Sequence, residues 1–201
     1  MSTALLVDAS QEQLREILLK LFVEYAYKTG DFILSSGARS SFYINSKLVT
    51  LRADGALAVG RLLSSYLPPD TVAVGGLTLG GDPLVSAVSI VSALNNKSIS
   101  ALIVRKEAKG HGTNAYIEGP SLPEGSSVVV LEDVVTTGKS AYLAVERLRH
   151  AGYRVEQIIS LIDRNEGGAQ FYQEKGLKFK SVFSIEDLQR ADLLKDSGSQ
   201  S

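Results

Sequence analysis

Leu14, Ile17, Leu18, Leu21, Phe22 and Tyr25 recur at the spacing of one helix face. Ser10 and Gln13 fit a capping box just ahead of them, so the pattern predicts an amphipathic helix over about 11–28, ended by Gly30. The period then changes. FILSSGARSSFYIN holds two short strand-like pieces, Phe32 to Leu34 and Phe42 to Ile44, around a Ser/Gly turn, and predicts a hairpin. Helical spacing returns at Val59, Leu62, Leu63, Tyr66 and Leu67 and stops at Pro68-Pro69. Beyond that point the chain alternates. VAVGG, ISALIV, SSVVVL and QIISLI read as strands, while Pro83 to Leu94 and Ser140 to His150 read as helices, the second with Gly152 just past it. Unbroken apolar runs alternating with helices are the signature of parallel strands buried on both faces. The expected architecture is therefore α/β and doubly wound, with the early hairpin as a small separate feature and a frayed polar tail over about 195–201.

Length and composition narrow this picture without changing it. With 201 residues, 44% hydrophobic and 21% charged, the chain fits one domain with a sizeable core, 1–201. A net charge of −1 and a pI near 6.1 give no global field to draw nucleic acid or an anionic membrane, so neither is expected as a partner. The absence of cysteine excludes a disulfide framework, a thiolate metal site and a cysteine nucleophile, and two histidines, His111 and His150, weaken any zinc reading. MSTALLVDAS carries Asp8 and no Lys or Arg, unlike a secretory signal, and the apolar runs are too short to cross a bilayer. A cytoplasmic location is the expectation.

The chemistry concentrates in VVVLEDVVTTGKS, Val128 to Ser140. In an open parallel sheet ligands collect beyond the carboxyl ends of the strands, and VVVL is expected to deliver Glu132 and Asp133 to such an end. Thr136, Thr137, Gly138, Lys139 and Ser140 then cover the turn into a helix, with backbone N–H groups, hydroxyls and a helix dipole aimed at one anion. Ionised carboxylates only accept hydrogen bonds, so the two acids want donors such as a ribose diol rather than the anion itself. A sugar phosphate has both ends. A Walker A loop shares Gly138-Lys139-Ser140, but its first glycine falls on Asp133. The plainer alternative is a solvated strand end followed by an ordinary helix start.

This stretch resembles the phosphoribosyl pyrophosphate motif of the type I phosphoribosyltransferases: four hydrophobic residues, two acids, then a Thr/Gly-rich turn. The resemblance implies that family's fold, a mostly parallel central sheet flanked by helices with a small N-terminal hood, here about 30–50. It also implies that Glu132, Asp133, Val134, Val135, Thr136, Thr137, Gly138, Lys139 and Ser140 bind phosphoribosyl pyrophosphate. A second segment, VRKEAKGHGTNAYIEG, puts Arg105, Lys106, Lys109 and His111 within seven positions of an otherwise near-neutral chain. Taken alone it reads as a solvated charged loop. It is similar, however, to the catalytic loop of the orotate phosphoribosyltransferase family, and the hairpin, GGLTLGGDP, RKEAKGHG, LEDVVTTGKS and IDRNEGG follow in that family's order.

What the likeness implies is specific. Ribose 5-phosphate would pass from phosphoribosyl pyrophosphate to orotate, giving orotidine 5′-phosphate and diphosphate in pyrimidine biosynthesis, with Mg²⁺ carried by the substrate and no metal site of the protein's own. Lys109, His111 and Asp133 would be catalytic, with Arg105 and Lys106 also on the diphosphate. The loop 105–115 would be shared across a homodimer interface. Thr136 and Arg164 would bind orotate, although a salt bridge from Arg164 to Asp163 or Glu166 remains open. Tyr43 lies against the pyrimidine ring or serves as a core aromatic. Ser35 and Gly80 stand where some members carry lysines, which moves diphosphate contacts onto the loop and onto N–H groups around Thr78 to Gly81. The rivals are a purine or uracil phosphoribosyltransferase and a regulator that senses phosphoribosyl pyrophosphate.

Overall fold

Val128 to Val135 form one of the two central strands of a six-stranded sheet, an apolar run that carries two acids inside with it. The computed structural model describes residues 3–33, 39–109 and 116–198. In chain order, helices α1 (Thr3–Asp8) and α2 (Gln11–Leu21) lead through a π-helical turn (Phe22–Ala26) into a hairpin of strands β1 (Tyr27–Ile33) and β2 (Arg39–Ile44). Helices α3 (Lys47–Thr50) and α4 (Ala53–Tyr66) follow, then β3 (Ala73–Leu77), α5 (Asp82–Leu94), β4 (Ser100–Val104) and a short β5 (Ile117–Glu118). The chain finishes with β6 (Val128–Val135), α6 (Lys139–His150), β7 (Gln157–Asp163), α7 (Gly168–Glu174), β8 (Lys178–Ser184) and α8 (Ile185–Gly198).

The sheet order is β5-β4-β3-β6-β7-β8, parallel throughout except for β5 against β4. The expected α/β fold, with a mostly parallel sheet between helices, is the one observed. Strand β3 is buried at every position, and β7 at all but its first, which is why both read as plain apolar runs. One core packs α2, α4, α5 and α8 onto the sheet through residues such as Leu18, Leu62, Leu84, Leu131 and Phe183. A second packs α6 and α7 through Val130, Val145, Leu148, Ile158 and Tyr172.

Several boundaries differ from expectation. The capping box of Ser10 with Gln13 is present, but α2 stops at Leu21 and the π turn ends at Ala26. Tyr27 already pairs with Ile44, so the helix expected to reach 28 gives way to strand. Gly30 therefore sits inside β1, at a register shift where its φ of +154° is one that glycine tolerates. Strand β6 runs on through both acids to Val135, because Glu132, Val134 and Val135 keep their parallel register with Ser160, Ile162 and Asp163 of β7. The acids are thus strand residues rather than a strand tip. Helix α8 continues to Gly198, into the segment expected to be a polar tail.

Candidate active site

The sheet reverses its winding between β3 and β6: β3 leads outward to β4, and the chain then crosses back to place β6 on the other side of β3. Beyond the carboxyl ends of two such strands a crevice opens. A cleft of about 450 Å³ lies there, lined by Lys47, Leu77, Thr78, Leu79, Gly80, Lys106, Glu132, Asp133 and Ser140. Beside it, a cavity of about 60 Å³ is lined by Glu132, Val134 to Ala141 and Tyr172. Glu132 and Ser140 line both spaces, so the two are neighbours that share a wall.

The small cavity is built by the turn into α6. Gly138 caps that helix with a φ of +83° and no side-chain cap, which leaves the first N–H groups of α6 without a side-chain acceptor. A β-carbon at Gly138 would come 2.9 Å from the Tyr172 ring, so only glycine lets the turn sit this close to α7. Val134, Val135, Thr136, Thr137, Gly138, Lys139 and Ser140 all line this one space, as a phosphate cradle requires.

The two acids are nearly buried, at 8% and 9% exposure, and they turn to different neighbours. Successive residues of a strand face opposite ways. Asp133 Oδ2 accepts a hydrogen bond from Ser46 Oγ, and Lys47 Nζ lies 3.9 Å from the same oxygen. Glu132 borders both spaces, and its Oε2 has no hydrogen-bond partner among the described residues. Burial, reinforced by the Asp133 charge and opposed by Lys106, pushes the Glu132 carboxyl up to about 8. The Thr78 to Gly81 loop closes the other wall: the Thr78–Leu79 peptide is cis, and Thr78 Oγ1 donates to Asp82 Oδ2 at 2.7 Å. Gly80 packs against Asp133 so tightly that a β-carbon there would lie 2.3 Å from Oδ1.

Of the four cations in the charged loop, the structure brings Lys106 to the cleft. Arg105 and Lys109 are held instead on Glu118 of β5, at 3.0 and 3.8 Å. His111 lies outside the described residues, as do Ser35 and the loop tip 110–115. Arg164 follows β7, and its backbone N–H donates to the Val135 carbonyl at 2.9 Å. Its side chain is 8% exposed, pairs with Glu166 at 2.8 Å, donates to Ser40 Oγ at 3.3 Å and stacks on Phe42 at 4.5 Å. The salt-bridge reading of Arg164 is thus realised with Glu166, in a setting that also faces the hairpin. Thr136 sits one residue past that Val135 carbonyl, in the small cavity.

Tyr43 is 43% exposed and packs on Phe32 at 5.7 Å, so it is no core aromatic. Strand alternation turns Ser40 and Phe42, not Tyr43, toward Arg164. Lys47, Ser46 and Phe42 are the site residues that sequence reasoning missed. The one available signal was a lysine following directly on the hairpin in FYINSK.

Known proteins resemble this chain in sequence and in fold. Residues 69–181 match a family model described as uracil phosphoribosyltransferase. The orotate phosphoribosyltransferase of Nostoc sp. (strain PCC 7120) is 66% identical, over 90% of this chain and 88% of that protein. The one from Synechocystis sp. (strain PCC 6803) is 63% identical, over 94% of this chain and 96% of that protein. The chain belongs to the orotate phosphoribosyltransferase family. It is an enzyme of the pentosyltransferase class with orotate phosphoribosyltransferase activity in pyrimidine biosynthesis. Among solved structures, Mycobacterium tuberculosis H37Rv orotate phosphoribosyltransferase in complex with 5-phospho-alpha-D-ribosyl 1-diphosphate superposes with a TM-score of 0.72, at 31% identity, over 88% of this chain and 99% of that one. The uracil match begins at residue 69 and omits the hairpin, whereas the orotate phosphoribosyltransferases align over nearly the whole chain, including Ser40 and Phe42. Among the described residues, no helix is long and apolar enough to cross a membrane.

Proposed function

We propose that the cleft and the small cavity together hold one molecule of phosphoribosyl pyrophosphate, its 5′-phosphate in the turn from Thr136 to Ser140 and its diphosphate along Lys47, Lys106 and the Thr78 to Gly80 loop. The observation that supports this reading is that Glu132 and Ser140 line both spaces, which puts the two side by side. A sugar with an anion at each end spans them, and its diol falls at Glu132 and Asp133, the acceptors between. Mg²⁺ would enter as part of this substrate, as a hard cation offsetting the charge of the diphosphate.

Orotate lies between Arg164 and the hairpin. Its carboxylate replaces Glu166 as the partner of the guanidinium, a planar fork suited to two parallel hydrogen bonds, and Thr136 adds a contact to the base. As the bond from C1′ to the diphosphate oxygen breaks and the bond from C1′ to N1 forms, negative charge leaves with the diphosphate and the N1 proton passes to the diphosphate or to solvent. Lys109 and His111, with Arg105, meet that charge when the loop 105–115 closes, in the partner subunit of a homodimer. Asp133 stabilises the positive charge that develops on the sugar, and electrostatic placement carries the rate. Closure also keeps water from the oxocarbenium-like centre.

The test is diphosphate release by the purified protein given phosphoribosyl pyrophosphate, Mg²⁺ and orotate, uracil, adenine or hypoxanthine in turn. Turnover with orotate alone is expected. Preference for uracil would overturn the placing of the orotate carboxylate on Arg164.

A further inference from the structure

Two buried polar atoms beside the site lack a hydrogen-bond partner among the described residues: Glu132 Oε2 and the hydroxyl of Tyr172. They line the same cavity of about 60 Å³. Tyr172 is fully buried on α7, and its ring is fixed between Phe171 and Phe179, with centroids 5.9 and 5.1 Å away. If packing were its whole purpose, phenylalanine would serve as well and would spare the cost of an unsatisfied hydroxyl. The hydroxyl stays protonated, because burial, with the Glu132 and Asp163 charges, holds it well above its ordinary value. It is therefore a donor, and Glu132 Oε2 is an acceptor once the carboxyl ionises. A cavity of this size admits a water with polar partners on two sides.

We propose that Tyr172 is a positioning residue for Glu132 in the ligand-free protein: its hydroxyl donates to a water in this cavity, and the water donates to Glu132 Oε2, which holds the carboxyl in place before the 5′-phosphate enters the turn and leaves Oε1 for the ribose hydroxyls. The consequence for titration follows from the groups around the carboxyl. Asp133 beside it on β6 opposes its charge, Lys106 favours it, and Lys139 at the start of α6 lines the same cavity. A hydrogen bond donated to the ionised form adds to the favourable side and works against burial. The functional part of the proposal rests on the reading that Glu132 receives the ribose diol.

The experiment compares wild type with Tyr172→Phe in two measurements: the ¹³C titration of the Glu132 carboxyl, assigned by its loss in Glu132→Gln, and the pH profile of kcat/KM for phosphoribosyl pyrophosphate. In Tyr172→Phe the titration is expected to move up by about half a pH unit or more, and kcat/KM at pH 7 to fall about 3-fold, recovering at high pH. A purely structural hydroxyl would leave the titration in place and Tm equal to wild type or higher. An unmoved Glu132 titration overturns the proposal. A moved titration with an unmoved kcat/KM profile upholds the link between Tyr172 and Glu132 and refutes instead the contact between Glu132 and the sugar.

Discussion

The Arg164 guanidinium lies 4.5 Å from the centre of the Phe42 ring, which ties the end of β7 to a hairpin more than a hundred residues earlier in the chain. Ser40 Oγ accepts from the same side chain, and Glu166 supplies the countercharge. The head group is thus oriented before any ligand arrives, and the exposed Glu166 is the partner an incoming carboxylate can replace. Arg164→Ala is expected to raise KM for orotate about 10- to 100-fold, the worth of charge-assisted hydrogen bonds, while KM for phosphoribosyl pyrophosphate stays within about 2-fold. Steady-state kinetics with each substrate varied in turn measures both, and equal effects on the two would remove Arg164 from the base site.

Gly80 bears on the other substrate. Its absent side chain is what lets Asp133 keep its contacts with Ser46 and Lys47, since a β-carbon would reach 2.3 Å from Oδ1 and 2.7 Å from Cγ. Any larger residue at this position would require Asp133 to move. In this chain Lys47 supplies a cation to the same cleft. Gly80→Ala is expected to raise KM for phosphoribosyl pyrophosphate about 10-fold by displacing a charge-assisted contact. Isothermal titration with phosphoribosyl pyrophosphate, beside a thermal melt, separates this from unfolding. Wild-type affinity in the variant would show that Asp133 turns freely.

The loop cations divide into two groups with different kinetic signatures. Lys106 lines the cleft already, whereas Lys109 sits 3.8 Å from Glu118, outside it. A contact present before the reaction lowers KM, and one formed on closure raises kcat. Lys106→Ala is therefore expected to act mainly on KM for phosphoribosyl pyrophosphate. Lys109→Ala should lower kcat on the order of 100-fold with a smaller change in that KM. Single-turnover kinetics checks the pair, and a kcat unchanged in Lys109→Ala would take Lys109 out of the mechanism.

How much of this was readable in advance follows from where each signal resides. VAVGG and QIISLI show as strands because residues buried on both faces leave no polar interruption. Strand β8 gives no such signal, because its first half alternates Lys178, Phe179, Lys180 at the sheet's edge. The phosphate turn was legible since a glycine, two threonines and a helix start act over a few consecutive residues. Its continuation was not: hydropathy ends VVVL at Glu132, whereas the backbone pairing with β7 carries the strand through Asp133 to Val135. Local pattern shows a lysine after the hairpin but not what it meets, because the contacts of Ser46 and Lys47 with Asp133 span more than eighty residues. The partition of Arg105, Lys106 and Lys109 is likewise set by Glu118, a residue on a two-residue strand.

Glu132 sets site chemistry against fold stability. Burial is the largest cause of its raised pKa, followed by Asp133, with Lys106 acting in the opposite sense. Between its ordinary value of 4.5 and about 8, the folded chain holds a proton that the unfolded chain has released. Unfolding then releases a proton, so stability falls as pH rises across that window: the contribution is full below 4.5 and lost above about 8. Glutamine keeps the shape and cannot ionise. Glu132→Gln is accordingly expected to melt near wild type at pH 5 and above it at pH 9, by about 2–4 °C for each kcal/mol relieved. The other carboxyls titrate in both proteins and cancel in the comparison. Parallel Tm curves from pH 5 to pH 9 would mean that Glu132 ionises without cost in the folded chain. The same variant should bind phosphoribosyl pyrophosphate more weakly, because an amide offers the ribose hydroxyls only a neutral acceptor. A gain in stability joined to a loss of affinity is what a buried acid retained for its substrate predicts.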